Sequence, residues 1–592
     1  MLTLKYQIAR VVGRVDMANG SERSNAIGIV CYLCLVTFVF QSLLYAFNSS
    51  LFFNAIGLLD PFLYVGYGLY YAIPDYLNGY YKVSRLPWDL VQFAARQTLR
   101  PEAAAFAIQF VSFSAMSMAA YFFFRHTAGR TAALLLAIFF IFFTIAYNNG
   151  GADYHNTITG ALYFLMLALL ANSIVKESLL VAGFAGGAVA LALHTNPTLV
   201  LLAPGIALHC LACCWKRQRS LRFILLALGL LVVGCVAATV ALGLVSWAFG
   251  RGFLFFRAQL DYMLWIKGNN PWWHRLTWEA FKYSKPNIYA FGISLLCAIE
   301  LCNLGLSRRI RDNLEAAAAY LGYIVTYLVA VICELSGQTV LEPDYMVYAI
   351  VLPTFVPLGY LIEYYLRPLS RPAPFRILMW FPLICGGTVF ASSWIYNILH
   401  LYSIYPLLLV FLVLGIFYFA LVTTIAARSS IVVFLLLATL DLALIPYAGA
   451  FGRDTCHVSR DFNVFMNDAS LLATKITGHP QRVWITMDPD EVMLKPCLES
   501  RRVRNLGASF VELGHRFLGK PFGAQRLAEL TKDDFAPVIK ENGVVALFAV
   551  EMAVETQLLE QARTLGIELK LEALLPEPTS GVELYLLRAQ AR

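Results

Sequence analysis

The sequence predicts a polytopic α-helical membrane protein, with about thirteen spans (residues 1–449) followed by a small soluble α/β region (residues 450–592). Three observations predict it. The 592-residue chain is 59% hydrophobic and only 14% charged, whereas a soluble surface needs about 25% charged residues. Its apolar residues gather in blocks long enough to cross a bilayer, separated by short polar or basic punctuation. Ordinary polarity returns only after residue 450.

The apolar blocks run approximately 26–47, 103–124, 131–147, 157–175, 178–193, 198–215, 222–248, 287–304, 314–335, 345–366, 377–399, 407–426 and 431–447. Residues 1–25 are mixed and charged, and the first block is too long for the core of a signal peptide. It is therefore expected to remain as the first span. With the N-terminus in the cytoplasm, the inner connections hold Arg125/Arg130, Lys176, Lys216/Arg217/Arg219/Arg222, Arg308/Arg309/Arg311, Arg367/Arg371/Arg376 and Arg428. The short outer connections hold almost no cations. This bias fixes one orientation, and thirteen spans then leave residues 450–592 outside, as for a bacterial inner-membrane protein facing the envelope. A net charge of +8 would suggest nucleic acid in a soluble protein. Here the cations sit at the ends of apolar blocks, so they read as topology determinants and no nucleic-acid partner is expected.

Of twelve cysteines, most lie inside apolar blocks and behave as small hydrophobes. No paired CxxC spacing indicates a metal. Cys456 and Cys497, the two in the tail, could pair in an oxidising compartment, although spacing alone does not establish it. The tail alternates strand and helix patterns: "QRVWITMD" and "GVVALFAV" as buried strands, "VETQLLEQARTLGI" as an amphipathic helix, "IELKLEALL" and "VELYLLRA" as closing strands. It carries no Gly-rich phosphate loop.

Two outer connections are long. Residues 48–102 are rich in Tyr and Phe and read as interfacial amphipathic helices. Residues 249–286 interleave aromatics with Arg251, Arg257, Lys267, Arg275, Lys282 and Lys285. Cations on the outer side break the bias kept elsewhere, which points to a functional charge.

Acidic and imidazole groups collect on the same side. Asp60 precedes Pro61, so it reads either as a helix cap or as a general base at the membrane surface. Asp75 and Asp89 share that loop and the same two readings, in weaker context. Asp153 and His155 lie in a compact Asn/Gly-rich turn, where they supply oxygen and nitrogen for a divalent cation, Mg2+ or Mn2+, or form a base with its orienting partner. Capping of the following helix by Asp153 or Asn156 rivals both readings. Asn196–Pro197 reads as a helix start, with His194 lining the same side passively. Glu342 and Asp344 stand just before a span.

One scheme uses these groups together. Transfer of a sugar from a lipid phosphate needs a base for the acceptor, positive charge for the leaving phosphate, and an apolar groove for the lipid. Asp60 and Asp153 suit the first need, the cations of 249–286 the second, the spans the third.

The segments "LLDPFLYVGY" at 58–67, "ADYHNTITGALYF" at 152–164 and "EPDYMVYAIVLPTFVPL" at 342–358 resemble loop motifs of the C-type (GT-C) membrane glycosyltransferases, the superfamily of protein mannosyltransferases, aminoarabinose transferases and oligosaccharyltransferases. The resemblance implies a GT-C fold and a glycosyltransferase of the hexosyl or pentosyl class. Its implied donor is a polyprenyl-phosphate-linked sugar, and its acceptor a lipid, glycan or protein. It implies Asp60, the acidic residue of the first loop, as general base or positioner of the acceptor, Asp153 in a supporting role or as a metal ligand, and substrate contacts from Tyr64 and Tyr345 beside Glu342 and Asp344. The tail lacks a WWDYG sequence, which argues against peptide glycosylation of the oligosaccharyltransferase type. Asp60–Pro61 in place of a paired acid argues against a close protein mannosyltransferase.

The competing expectation is a transporter or flippase of lipid-linked substrate without transferase chemistry. Transporters place charges or broken helices at the midplane. Here most spans are uniformly apolar and the acids lie in loops, although His209 and Glu334 stand near span ends.

Overall fold

The computed structural model describes residues 27–43, 45–46, 71–72, 84–99, 101–142, 155–269, 285–335, 350–366, 382, 480–485, 532–540, 544–549, 552–577 and 582–591. Its helices are α1 (Ile27–Leu43), α2 (Leu86–Thr98), α3 (Pro101–Thr127), α4 (Arg130–Ile141), α5 (Asn156–Lys176), α6 (Leu179–Thr195), α7 (Ala203–Lys216), α8 (Leu221–Ala248), α9 (Arg257–Asn269), α10 (Lys285–Leu306), α11 (Leu314–Leu335) and α12 (Phe355–Leu366). Among the described residues, 6 helices are long and apolar enough to cross a membrane, and α1, α4 and α6 are shorter apolar helices. The expected blocks from 26–47 to 345–366 fall wholly or partly on these helices. Those at 377–399, 407–426 and 431–447 lie outside the described residues apart from residue 382.

In lipid there is little hydrophobic gain in bringing helices together, so close packing of small residues and interhelical polar contacts does the work. The α6–α8 pair shows this. A Cβ on Gly186 would run into the Leu231 carbonyl, and one on Gly234 into the Gly183 carbonyl, so the two backbones touch where only glycine allows it. The outward side of α8 carries Leu225, Leu228, Val232, Val236 and Val240, all exposed, as a lipid-facing surface requires. Inside the bundle, Phe140 meets Phe164 and Phe355 with ring centroids 4.6 Å from each, and Phe139 meets Phe355 at 5.5 Å.

Contacts between connections sort into two sets. Those expected on the inner side meet one another: Glu315 pairs with Lys216 at 3.1 Å and with Arg217, and Arg217 also donates to the His126 carbonyl at 3.0 Å. Arg219 reaches the carbonyls of Ile174 and Val175 at 2.8 and 2.6 Å and the carboxylate of Glu177 at 2.6 Å. Glu177, Gln218 and Arg308 take left-handed φ values of 53°, 52° and 54° at these turns, the conformation that ends a helix after its last carbonyls. The connections expected on the outer side likewise meet one another, as described below. The grouping follows the Lys/Arg bias.

Toward the C-terminus, β1 (Pro480–Ile485), β2 (Val544–Ala549), α14 (Met552–Thr564), β3 (Ile567–Glu577) and β4 (Val582–Ala591) fall on the strand and helix patterns read there, and α13 (Lys532–Lys540) is a further helix. The sheet order is β1-β2-β4-β3. β1 runs parallel to β2, the other pairs are antiparallel, and a register shift lies between Leu571 and Ala573. Phe535, Leu558, Ala562, Ile567, Tyr585 and Leu587 form a separate small core.

Candidate functional site: a buried arginine–carboxylate cluster

Helix α2 begins with Pro87 in its first turn, where a missing N–H costs nothing and φ is preset. It ends at Leu99, which is extended, just before Pro101 begins α3. Arg85, Asp89, Gln92 and Arg96 fall four, three and four residues apart, so they share one face. That face is turned into the protein: Arg85 is 8% exposed, Arg96 3%, and Asp89 and Gln92 are both 0% exposed. The first outer loop was expected to hold interfacial helices with polar faces toward water. α2 instead buries a polar stripe together with Leu86 and Trp88, and leaves Ala94, Gln97 and Thr98 exposed.

Three chain segments converge on this stripe. His155 stands at the N-cap position of α5, with its carbonyl accepting from Thr159 N at 3.1 Å and its side chain making no cap. Its ring, buried in the protein, lies against the Arg85 guanidinium. Arg251 follows α8, which terminates where Gly250 turns to φ 75° and the Arg251 N–H bonds back to Ser246 O at 3.0 Å. The Arg251 Nε donates to the Tyr71 carbonyl at 2.9 Å, and its guanidinium lies 4.8 Å from the centroid of the Tyr71 ring, a cation–π contact. Ser84 donates to the Phe255 carbonyl at 2.9 Å and accepts from Gln259 N at 3.2 Å. The two long connections expected on the outer side are thereby stitched together, with His155 beside them.

Asp89 is the unusual member. It lies in the first turn of α2, but it makes no capping bond, so the capping reading of this residue is overturned. Both its carboxylate oxygens are buried without a hydrogen-bond partner. Burial pushes its carboxyl well above the usual carboxylate range, and the nearby charges of Arg251 and Arg85 only partly offset that. The Tyr71 hydroxyl is pushed up to about 12, mainly by burial. The cluster thus places two guanidinium groups and an imidazole around a carboxyl group, out of bulk water, where charge interactions are strong.

The sequence-predicted residues divide accordingly. Arg251 and His155 belong to this cluster. Arg257 does not join it: its side chain is 79% exposed and lies 3.7 Å from Asp261 one turn along α9. Lys267 falls on α9. Asp60, Tyr64, Asp153, Arg275, Glu342, Asp344 and Tyr345 lie outside the described residues. Asn196 is a cap, its Oδ1 accepting from Thr198 N at 3.1 Å. His194 bonds Thr239 at 3.0 Å and packs on the rings of Phe255 and Phe256, as a lining residue does. His209 is held by the Tyr360 hydroxyl at 2.9 Å. Sequence reasoning missed Arg85 and Arg96, and it placed Asp89 in weaker context than Asp60. The available signal was the heptad-spaced polar stripe in a segment otherwise rich in Trp, Phe and Leu.

As for a metal, no group of three or more ligating side chains occurs among the described residues. The His155 ring already faces a guanidinium, a setting that disfavours a second cation at that ring.

These features define an α-helical integral membrane protein with a buried cationic site where its long connections meet. No protein-family model and no curated protein matches the chain. Among solved structures, it is similar to ArnT from Cupriavidus metallidurans bound to undecaprenyl phosphate, with a TM-score of 0.48 and 14% identity over 95% of this chain and 97% of that one. It is also similar to ArnT from the same organism in the apo state, with a TM-score of 0.46 and 15% identity over 96% and 98% of the two chains.

Proposed function

We propose that this protein is a membrane glycosyltransferase that moves a sugar from a polyprenyl-phosphate donor to a lipid, glycan or protein acceptor on the extracytoplasmic face. One observation carries the reading: Arg85 and Arg251 are buried together beside Asp89, at the end of a bundle whose outer surface is made for lipid. A buried pair of arginines suits a phosphate, and a site of this kind within a membrane bundle suits a phosphate that carries a lipid tail.

In this reading Asp60 accepts the proton of the acceptor hydroxyl as its oxygen bonds to the anomeric carbon. The bond from that carbon to the phosphate oxygen breaks, and its electron pair leaves with the phosphate. Arg251 and Arg85 are the groups that neutralise the developing charge. His155 orients Arg85, Asp153 supports the acceptor side, and Tyr64, Lys267, Arg275, Glu342, Asp344 and Tyr345 line the substrates. The N-terminus is cytoplasmic, and residues 450–592 form an extracytoplasmic domain serving as a lid or acceptor module.

The test is transfer of a radiolabelled sugar from a polyprenyl-phosphate donor in proteoliposomes holding the intact chain. Asp60→Asn and Arg251→Gln should each abolish most transfer at normal protein level. Passage of the intact lipid-linked sugar across the bilayer without cleavage would instead establish the flippase reading. A Mg2+ or Mn2+ ion held by Asp153 and His155 is the other possible source of positive charge. Chelation with EDTA separates the two sources: transfer that survives it assigns the charge to the arginines, and transfer that needs added metal assigns it to the ion.

A further inference from the structure

Asp89 has no role in that scheme, yet it is the costliest side chain in the cluster. A carboxylate removed from water without hydrogen bonds is destabilising unless charges compensate or a proton neutralises it. Here the compensation comes from Arg251, presented from beyond α8, and from Arg85, at the N-cap position of α2 one turn before it. Nothing directional holds the carboxyl to either, because both oxygens lack a hydrogen bond. Its position is fixed by the helix, where its N–H bonds to Arg85 O at 3.1 Å, and by the packing of fully buried Trp88 and Tyr71. The carboxyl therefore acts on the guanidinium pair through charge alone, while their N–H groups go to other partners, such as the Tyr71 carbonyl and the His155 ring.

We infer that Asp89 is a positioning residue that competes with the ligand phosphate for Arg85 and Arg251. With Asp89 neutral, the pair presents more positive charge to an incoming phosphate than with Asp89 ionised. Ionisation of Asp89 adds a negative charge beside the pair, and phosphate binding weakens. By linkage, a phosphate brought to the same arginines repels the ionised carboxyl, so binding takes up a proton at Asp89. Among the described residues, the titratable and charged groups facing Asp89 are Tyr71, Arg85 and Arg251, with His155 behind Arg85. Tyr71 and the arginines hold their protonation state from acid to mildly alkaline pH, which leaves His155 as the group to control for. The inference rests on the donor reading of the site, and the experiment tests the two separately.

The probe is a fluorescent polyprenyl phosphodiester, which keeps one negative charge throughout the range, compared with the matching uncharged polyprenol on the intact protein in nanodiscs. Wild-type affinity for the phosphodiester should fall with rising pH, by up to about tenfold per pH unit once Asp89 ionises. Asp89→Asn should bind as tightly as the wild type at its most acidic point and show no slope, and His155→Asn should keep the slope. A wild-type slope in D89N, or weaker binding by folded D89N at acidic pH, overturns the role. Infrared difference spectra of wild type minus D89N, without ligand, provide a second readout: the carbonyl band of a protonated carboxylic acid should be present at the acidic end of the range and fade over the same pH interval in which the affinity falls. Its absence overturns the inference whatever the probe does. If phosphodiester and polyprenol bind alike, the donor reading fails, and the infrared band still decides the state of Asp89.

Discussion

The Nε of Arg251 donates to the backbone carbonyl of Tyr71 at 2.9 Å, across 180 residues of sequence. The bond joins the two long connections, and the guanidinium rests on the ring of the same tyrosine. Tyr71 in turn is wedged edge-on against Phe249 and Phe93, at 5.1 and 6.5 Å. The planar guanidinium is thus held on two sides, by a hydrogen bond and by an aromatic face. Lysine carries the charge but lacks both the planar fork and the stacking. Arg251→Lys should raise the donor KM by about ten- to a hundredfold, in line with the ~1.5–3 kcal/mol of a charged hydrogen bond. Tyr71→Phe keeps the carbonyl and the ring and should change little. Steady-state transfer by the two variants checks the pair.

The pH dependence of stability has a sign set by Asp89. Its folded value is raised, mainly by burial, so above the usual carboxylate range the folded chain keeps a proton that the unfolded chain has released. Stability therefore falls as pH rises through that window. Thermal unfolding in detergent should show a wild-type loss with pH that is absent from Asp89→Asn. Equal slopes in the two proteins would refute the buried placement of this carboxyl.

At the other end of the bundle, Glu363 on α12 accepts the N–H groups of Thr131 and Ala132, each at 3.1 Å. It caps α4 from a distant helix, satisfying two of the donors every helix N-terminus leaves open. Gly129, at φ 151°, makes room, since a Cβ there would strike the Glu363 carboxyl group. Glu363→Ala should cost about 1–2 kcal/mol, the scale of a lost cap. Gly129→Ala should cost at least as much, and the double variant should cost less than the sum because the clash is gone. Chemical unfolding of the purified protein reads all three.

Two glycines of the α6–α8 region give opposite expectations. Gly186 abuts the Leu231 backbone, while Gly229 has open space around its Cα. Gly186→Val should prevent folding or lower the melting temperature sharply by forcing the helices apart. Gly229→Ala should be tolerated or slightly stabilising, given the gain of about 1 kcal/mol in helix propensity. A reversed order in a detergent melting series would refute the close crossing.

The bundle was legible in the sequence because a lipid environment leaves few choices. A run of apolar residues such as 222–248 must satisfy its own backbone, so it becomes a helix, and α8 occupies Leu221–Ala248. The turn between α7 and α8 was legible too, since Lys216, Arg217 and Arg219 collect where the chain returns to the polar interface. Strands β1 to β4 followed from alternating or buried runs in the tail. Half of the site was visible as anomalies of charge: Arg251, a cation on the outer side, and His155, an imidazole in a polar turn.

Tertiary structure decided the rest. Periodicity shows that Arg85, Asp89, Gln92 and Arg96 share a face, but it cannot show whether that face meets water or protein. Only the arrival of His155 and of Arg251 with Tyr71 turned it inward, making Asp89 an uncapped, desolvated carboxyl beside two arginines. Composition likewise marked Arg257 and Arg251 alike as outer cations, and packing left the first exposed beside Asp261 while burying the second. The sequence by itself determined the helices and their ends, because backbone hydrogen bonding in lipid is a local demand. Which charges lie together was decided by the fold, because desolvation depends on every segment that packs around them.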